Sequence, residues 1–257
     1  MEIHMDRIMG ILREAKTYFL DEANAHRITV KGLADYVTEV DKTVEEFLQK
    51  RLKEEYPQVQ FMGEEKDNSD IDFSKAVWIL DPVDGTTNLI HDYRHSAISL
   101  ALCENDYLTA GFIYHPYGDE MYCAVRGKGA FLNGRPIHVS HAAALEESLI
   151  AFGTSPYQKE LADINFRHIK ETFLRCQDIR RSGSAAMDMA YVACGRIDAF
   201  YELTLKPWDY SAGLVLIEEA GGTVTDYKGH PIKTGKPSSV VAGNGKIGAI
   251  LIKEVLK

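Results

Sequence analysis

The sequence predicts an α+β fold, and two contrasting runs of predicted elements are the evidence. In residues 1–140, amphipathic helices precede short strands whose close spacing is typical of an antiparallel sheet with helices to one side. In residues 141–257, strands and helices alternate as in an α/β unit. We therefore expect an α+β half that ends near residue 140 and an α/β half that follows it.

The first half begins with two helical stripes of apolar residues. One stripe contains Ile8, Ile11, Leu12, Ala15 and Phe19, and the other runs from Val40 to Leu52. Strands are expected near residues 58–62, 76–81, 96–103, 107–114, 119–125 and 136–139. The Asn133-Gly134 dipeptide favours a tight turn before the last of these strands.

The second half contains the predicted strand–helix alternation. Strands are expected at 148–152, 178–181 and 197–202, and helices at about 158–173 and 184–194. Pro207 marks the entry to a final helix, which carries Asp209 and runs to the stop at Gly221 and Gly222.

Composition restricts the class of function. A chain of 257 residues that is 45% hydrophobic can bury a substantial core, as one large or two small domains. The net charge of −9 argues against broad binding to nucleic acids or anionic membranes.

The N-terminus and the cysteines indicate a compartment. The first residues carry no apolar signal region, and no apolar run approaches the length of a membrane span. The four cysteines lack paired short spacing, which favours reduced thiols. We therefore expect a cytoplasmic protein.

The most informative segment is the run from Trp78 to Asn88. Its first residues form an apolar strand that ends on two acids, Asp81 and Asp84, and Gly85 and Thr86 then open a helical turn. Carboxylates beside free helix N–H groups suit a hard cation and a phosphate. The alternative is a plain turn in which Asp84 is an ordinary helix cap.

Three further acids occupy comparable positions. Glu64 follows a short strand and Gly63, Asp209 lies in the first turn of its helix, and Asp41 begins the helix of the second stripe. An acid in a first helical turn is often only complementing the helix dipole. Acids repeated at strand ends and helix starts nevertheless suggest that these side chains converge.

Convergence would require metal ions. Like charges about 4 Å apart repel by roughly 4 kcal/mol per pair at an effective dielectric near 20, so crowded carboxylates need cations between them. Oxygen ligands without a cysteine–histidine cluster favour Mg²⁺ or Mn²⁺ over zinc. Several magnesium ions beside a helix N-terminus are typical of phosphoryl transfer to water.

These motifs resemble those of the inositol monophosphatase family. The resemblance rests on Gly63-Glu64-Glu65, on the Asp-Pro-Val-Asp-Gly-Thr-Thr-Asn segment at 81–88, and on Trp208-Asp209 leading to Glu219-Ala220-Gly221-Gly222. Segments 127–134 and 181–186 also look like family segments, in the family's order. This magnesium-dependent, lithium-sensitive superfamily includes fructose-1,6-bisphosphatases. The resemblance implies a layered α-β-α-β-α sandwich and a homodimer.

The resemblance also implies a set of metal ligands. Asp81 matches the acid that bridges two magnesium ions, and Glu64 and the carbonyl of Val83 match ligands of the first ion. Asp84 and Asp209 match ligands of the second ion. A third, looser ion near Glu64 is typical of the family, and Mn²⁺ is a conceivable substitute.

Catalysis by a metal-activated water follows from the same resemblance. The proton of this water would move toward Glu64 and Thr86, with Thr38 and Asp41 orienting the water or its proton relay. The N–H groups of Gly85 and Thr86 would hold phosphate oxygens. A water oriented by Asp84 would protonate the leaving alkoxide.

The leaving-group pocket is implied by a second group of residues. Gly183, Ser184 and Ala185 lie at a predicted helix N-terminus, and in the family this segment and the acid that matches Glu202 contact substrate hydroxyls beside Asp209. Arg181 matches a substrate-side arginine of bacterial members. A solvated acid at Glu202, a helix cap at Ser184 and an internal salt bridge at Arg181 are the alternatives.

Three interpretations of function result. The leading one is a magnesium-dependent phosphomonoesterase acting on inositol monophosphate or related polyol phosphates, with a small-molecule phosphate ester as its partner. The second is a fructose-1,6-bisphosphatase or another sugar-phosphate or NADP phosphatase. The third is a metal-stabilised regulatory binding protein, which predicts the loss of at least one acidic ligand. Glu64, Asp81, Asp84 and Asp209 are all present.

Overall fold

The computed structural model describes residues 3–32 and 35–257, and the elements below are those of the described part of the chain. The helices are α1 Met5–Glu14, α2 Lys16–Phe19, α3 Glu22–Ala25, α4 Glu39–Glu55, α5 Thr86–Ile90, α6 Ala162–Phe173, α7 Ala185–Ala193, α8 Pro207–Glu219 and α9 Lys246–Glu254. The strands are β1 Ile28–Gly32, β2 Asp35–Thr38, β3 Gln60–Gly63, β4 Val77–Asp84, β5 Ala97–Glu104, β6 Tyr107–His115, β7 Glu120–Val125, β8 Ala130–Leu132, β9 Arg135–Ile137, β10 Leu149–Phe152, β11 Asp178–Arg180, β12 Ala199–Leu205, β13 Thr223–Thr225 and β14 Ser238–Gly243.

The larger sheet has seven strands in the order β3-β4-β5-β6-β7-β8-β9. Its neighbours pair antiparallel from β4 to β9, as expected, but β3 and β4 pair parallel, so the sheet is mixed. A parallel pair needs a connection that returns along the sheet, which residues 64–76 supply. Because parallel strands end at the same edge, Glu64 and Asp81 come to one side of the sheet.

The smaller sheet has five strands in the order β11-β10-β12-β14-β13. Strand β10 pairs parallel with β11 and β12, in accord with the expected α/β alternation. Strands β13 and β14 add an antiparallel pair at the other side of the sheet. Both sheets are therefore mixed and combine with helices in the expected α+β class.

Alternation along the strands divides the core into three clusters. Trp78 and Leu80 pack with α1 and α4 on one face of β4, whereas Val77 and Ile79 pack with α7 and α8 on the other. Helices α7 and α8, the central helices, also contact Phe200 of the smaller sheet. The opposite face of the smaller sheet packs against α6 and α9. The layers thus run α-β-α-β-α, as the family resemblance implies.

Several elements have no counterpart in the sequence prediction. The hairpin of β1 and β2 precedes α4, and all five residues of β1 are exposed, so no buried apolar pattern marks it. Strands β8 and β13 contain three residues each, which is too short for a periodic signal. Residues near 160 begin as a short 3-10 helix, Lys159–Leu161, so α6 starts later than predicted.

The predicted boundary at residue 140 lies between the last strand of one sheet and the first strand of the other. Core residues from both sides of it pack together around α7 and α8. All four cysteines are free thiols. In the described ranges, no helix combines the length and the apolar character that crossing a membrane requires.

Candidate metal-dependent active site

A cleft of about 930 Å³ lies where the larger sheet meets the central helices. The metal-ligand and substrate residues expected from the sequence all line this cleft: Glu64, Asp81, Val83, Asp84, Gly85, Thr86, Arg181, Gly183, Ser184, Ala185, Glu202 and Asp209. Thr38 and Asp41 lie behind Thr86, in hydrogen-bond contact with it through Asp41. The fold therefore brings the predicted residues together at one location.

Asp81 is placed by the alternation of β4. It follows Val77 and Ile79 on the face toward the central helices, and its side chain is 2% exposed. The backbone N–H of Val83 donates to Asp81 Oδ1 at 2.9 Å. One carboxylate oxygen is thus held by the backbone of its own strand.

A β-bulge places Asp84 beside Asp81. A regular strand would point residues three positions apart to opposite faces, but Asp81 pairs with Ser99 and Asp84 with Ala97, so β4 carries one extra residue here. Asp84 Oδ2 accepts hydrogen bonds from the Ser184 hydroxyl and from Ala186 N–H, the latter at 2.7 Å. The bulge therefore explains why both acids face the cleft.

Asp209 approaches from the first turn of α8. Pro207 occupies the first position of this helix, and Lys206 N–H donates to Asp209 Oδ2 at 2.7 Å. Ligand oxygens of Asp81, Asp84 and Asp209 all lie within 4.8 Å of one another. Three chain segments thus contribute one carboxylate each to a compact oxygen cluster.

The donor set fits hard divalent cations. Each of the three carboxylates has one oxygen engaged by a backbone N–H group, and its second oxygen can face a cation. Oxygen-only ligands in this arrangement suit Mg²⁺ or Mn²⁺ rather than zinc. The cluster can therefore bind metal, which agrees with the prediction from the sequence at this level.

Burial and neighbouring negative charges raise the pKa values of the acids in this cluster. Burial raises the pKa of Asp81 well above its ordinary value, and the neighbouring carboxylates of Glu64 and Asp84 raise it further. Burial and the charge of Asp84 also raise the pKa of Asp209 well above its ordinary value. Burial raises the pKa of Asp84 to about 6, although hydrogen bonds from Ser184 and Ala186 oppose the rise. Cations bound among these acids would favour their charged forms.

Glu64 leaves the end of β3 and lines the same cleft, half-buried. Burial, followed by the charges of Asp209 and Asp41, raises the pKa of Glu64 well above its ordinary value. The next residue, Glu65, forms an ion pair with Lys31 of the β1–β2 hairpin. The positively charged side chain of Lys31 thus lines the cleft that contains the acidic cluster.

Thr86 connects the cleft to the helix that begins at Thr38. Its hydroxyl lies 3.0 Å from Asp41 Oδ1 and 3.1 Å from the carbonyl oxygen of Val83. Thr38 donates to Asp41 Oδ2 through its N–H and its hydroxyl, in a capping box at the start of α4. Burial raises the pKa of Asp41 to about 6. The capping role and the contact with Thr86 therefore coexist.

Gly85 and the turn before α7 approach each other closely. Gly85 has φ +93°, and a Cβ atom there would lie 3.2 Å from the carbonyl oxygen of Gly183. Asn88 Nδ2 donates to the carbonyl oxygens of His95, at 2.6 Å, and Ser182, at 3.0 Å. These contacts hold the turn at Gly85 against the segment that precedes α7.

Glu202 is buried rather than solvated, since its side chain is only 7% exposed. Ser155 N–H donates to Glu202 Oε1 at 2.7 Å, and burial raises the pKa of Glu202 to about 7. Arg181 donates to the hydroxyl of Thr154 at 3.3 Å, and its charge lowers the pKa of Asp84 and Glu202. Ser184 is the N-cap of α7, which is the alternative role considered for it from the sequence, and its hydroxyl also donates a hydrogen bond to Asp84.

Several cleft residues were not predicted from the sequence. Lys31, Ser155, Gln158 and Trp208 line the cleft as well. Trp208 is adjacent to the predicted ligand Asp209, and Lys31 carries a positive charge, so the sequence gives a weak indication that these two residues lie in the site. Ser155 and Gln158 lie in a polar loop with no distinguishing pattern, and only the tertiary structure places them here.

Comparison with known proteins identifies the relationship. The model of the inositol monophosphatase family matches residues 4–257. An inositol-1-monophosphatase of Rhizobium meliloti is 37% identical over 254 residues, which cover 97% of this chain and 94% of the relative. A relative from Xylella fastidiosa named Nus factor SuhB is 38% identical over 229 residues, covering 86% and 82% of the two chains.

Solved structures show the same similarity. The inositol monophosphatase of Thermotoga maritima superposes with a TM-score of 0.87 at 33% identity, covering 98% of this chain and 96% of that one. The staphylococcal SaIMPase-II, solved with bound inositol monophosphate, has a TM-score of 0.83 at 30% identity, covering 98% and 93%. At these identities the similarity extends beyond the fold to a common family.

Proposed function

This chain belongs to the inositol monophosphatase family, and we propose that it is a magnesium-dependent phosphomonoesterase that hydrolyses inositol monophosphate or a related polyol phosphate. The family and its enzyme structures support phosphatase activity in general. The specific ester is our inference from the cleft. A metal-ion requirement is supported by the acidic cluster.

One observation carries the proposal. Three carboxylates with ligand oxygens within 4.8 Å of one another lie in the same cleft as a buried acid, Glu202, and the turn at Gly183. The cluster offers a place for cations and phosphate, and the acid and turn offer hydrogen-bonding groups for a hydroxylated leaving group. This pairing of a cation site with a polar pocket suits a polyol phosphate.

We assign the ions by the ligands that could hold them. Asp81, Glu64 and the carbonyl of Val83 would hold one magnesium ion, and Asp81, Asp84 and Asp209 a second. A third, looser ion would lie near Glu64. When bound, the ions polarise the phosphate as Lewis acids and lower the pKa of water at the site.

The protein's own residues manage the proton of the attacking water. Glu64 and the Thr86 hydroxyl accept it in our proposal, and Thr86 can pass its own proton to Asp41 Oδ1, 3.0 Å away. Two donors from Thr38 fix the opposite oxygen of Asp41. The relay therefore has a defined direction, from the cleft toward the start of α4.

Other groups orient the phosphate and the leaving group. The N–H groups of Gly85 and Thr86 donate to phosphate oxygens, and Asp84 orients the water that protonates the leaving alkoxide. Glu202, Ser184 and the backbone of Gly183 and Ala185 contact hydroxyls of the alcohol. Arg181 adds positive charge on the substrate side of these acids.

Phosphate release from a panel of esters tests the proposal. The purified protein is assayed with inositol, fructose, glycerol and nucleotide phosphates, with magnesium, with manganese and with a chelator. We expect magnesium-dependent turnover that is greatest with a cyclic polyol phosphate. Absence of turnover on every ester with either metal would refute the proposal, and highest efficiency on fructose 1,6-bisphosphate or a nucleotide would replace the substrate.

A regulatory binding role is the second candidate, since a 38% identical relative is named Nus factor SuhB. Such a role would not require turnover, and it can coexist with catalysis. Asp81→Asn therefore separates the two, because it removes the proposed ion ligand from a buried position and leaves the surface unchanged. Inhibition by lithium and a homodimeric state stay predictions, which inhibition assays and analytical ultracentrifugation can check.

A further inference from the structure

The loop of residues 153–158 forms one wall of the cleft. Ser155, Tyr157 and Gln158 of this loop all line the cavity that contains the acidic cluster. The loop follows strand β10 and precedes α6, and it carries none of the family segments recognised in the sequence.

Hydrogen bonds fix the loop at several points. Ser155 N–H donates to Glu202 Oε1 at 2.7 Å, and Thr204 N–H donates to Ser155 Oγ at 3.2 Å. Asn165 Nδ2 donates to the carbonyl oxygen of Thr154 at 3.0 Å, and Gln158 N–H to that of Ser155 at 2.9 Å. Ser155 therefore contacts both residues, because its carbonyl oxygen accepts from Gln158 and its N–H donates to Glu202.

Gln158 has a buried acceptor with no internal partner. Within the described residues, its Oε1 atom is buried and forms no hydrogen bond. Five other buried side-chain atoms share this state, on Trp78, His95, His115, His168 and Tyr227. None of those residues lines the cleft. A buried carbonyl without a donor is destabilising, so its persistence at the wall of a cleft points to a donor supplied from outside the chain.

We propose that Gln158 is a specificity-determining residue, whose carboxamide oxygen accepts a hydrogen bond from a hydroxyl of the leaving group. This inference rests on the proposed phosphomonoesterase activity and narrows its substrate class. Because Ser155 ties Gln158 and Glu202 to the same turn, the preferred alcohol carries at least two hydroxyls, one for each acceptor. A neutral hydroxyl suits the neutral amide, and Gln158 takes no part in the chemical step.

Two esters with the same ring test the inference. myo-Inositol 1-phosphate and cyclohexyl phosphate share a six-membered ring, but only the first carries ring hydroxyls. Gln158→Met keeps the length of the side chain and removes the acceptor. We expect it to lower kcat/KM for the inositol ester by about tenfold, mainly through KM, and to leave the cyclohexyl ester within about twofold.

Matched variants separate recognition from folding. Gln177→Met changes an exposed glutamine outside the cleft and should leave both esters unaffected. If Gln158→Met melts early, Gln158→Ala supplies the same comparison. An equal loss on both esters, or an unchanged ratio between them, would overturn the role of Gln158. A wild-type protein inactive on both esters with magnesium would instead refute the proposed function, and this inference with it.

Discussion

Asp81→Asn should stabilise the metal-free protein while removing its activity. Asp81 is 2% exposed, and an asparagine can keep the hydrogen bond that Asp81 Oδ1 accepts from Val83 N–H. The new amide can donate to the neighbouring carboxylates of Asp84 and Asp209. The change therefore replaces a repulsive contact by an attractive one at nearly constant volume.

The size of the gain follows from the geometry of the cluster. Two unit charges 4.8 Å apart, the limit of the cluster, repel by about 3.5 kcal/mol at an effective dielectric near 20. Water in the open cleft and proton uptake relieve part of this repulsion. We expect the free energy of unfolding at pH 8 to rise by about 2 kcal/mol in the variant.

Urea denaturation in the presence of a chelator measures this difference. Burial raises the pKa of Asp81, so wild type takes up a proton at little cost at pH 5 and the advantage of the variant should shrink there. Asp67→Asn, at an exposed acid, is the matched control and should change stability little. A variant that is less stable than wild type at pH 8 without metal would show that repulsion does not dominate this cluster.

Three further predictions use the same site. Magnesium at roughly a hundred times its dissociation constant should stabilise wild type by about 2.7 kcal/mol and raise its melting midpoint, whereas Asp81→Asn should respond much less. Thr86→Val should lower kcat by about 10²-fold or more and keep the magnesium-dependent shift in melting, because it removes the hydroxyl that contacts Asp41. Thr86→Ser should retain most of the activity, and equal activity of the two variants would exclude the proposed relay. Burial raises the pKa of Glu202 to about 7, so the contribution of its protonated form to stability is full below pH 4.5 and is lost as the pH rises to 7. In metal-free melts, the free energy of unfolding of Glu202→Gln should therefore fall by about 3 kcal/mol less over this range than that of wild type. Parallel pH profiles of the two proteins would contradict this.

The sequence by itself determined the fold class and the family, and it predicted which acids lie together in the cleft. A continuous apolar run predicted β4 and its terminal acids, and the helical stripe predicted α4 with Asp41 near its start. These features are local, because the period of a strand or helix and the chemistry of a carboxylate are legible in a few consecutive residues. The layered sandwich was implied by the resemblance of the motifs to the inositol monophosphatase family.

Only the tertiary structure decided how the acids meet. Asp81 and Asp84 share a face because β4 carries a bulge opposite β5, and Glu64 reaches them because β3 pairs parallel with β4. Neither the register of a ladder nor the direction of a neighbouring strand has a local signature. The same reason hid the link between Glu202 and Ser155, residues 47 positions apart. It also hid Gln158, whose environment depends on contacts between distant segments rather than on its own sequence neighbours.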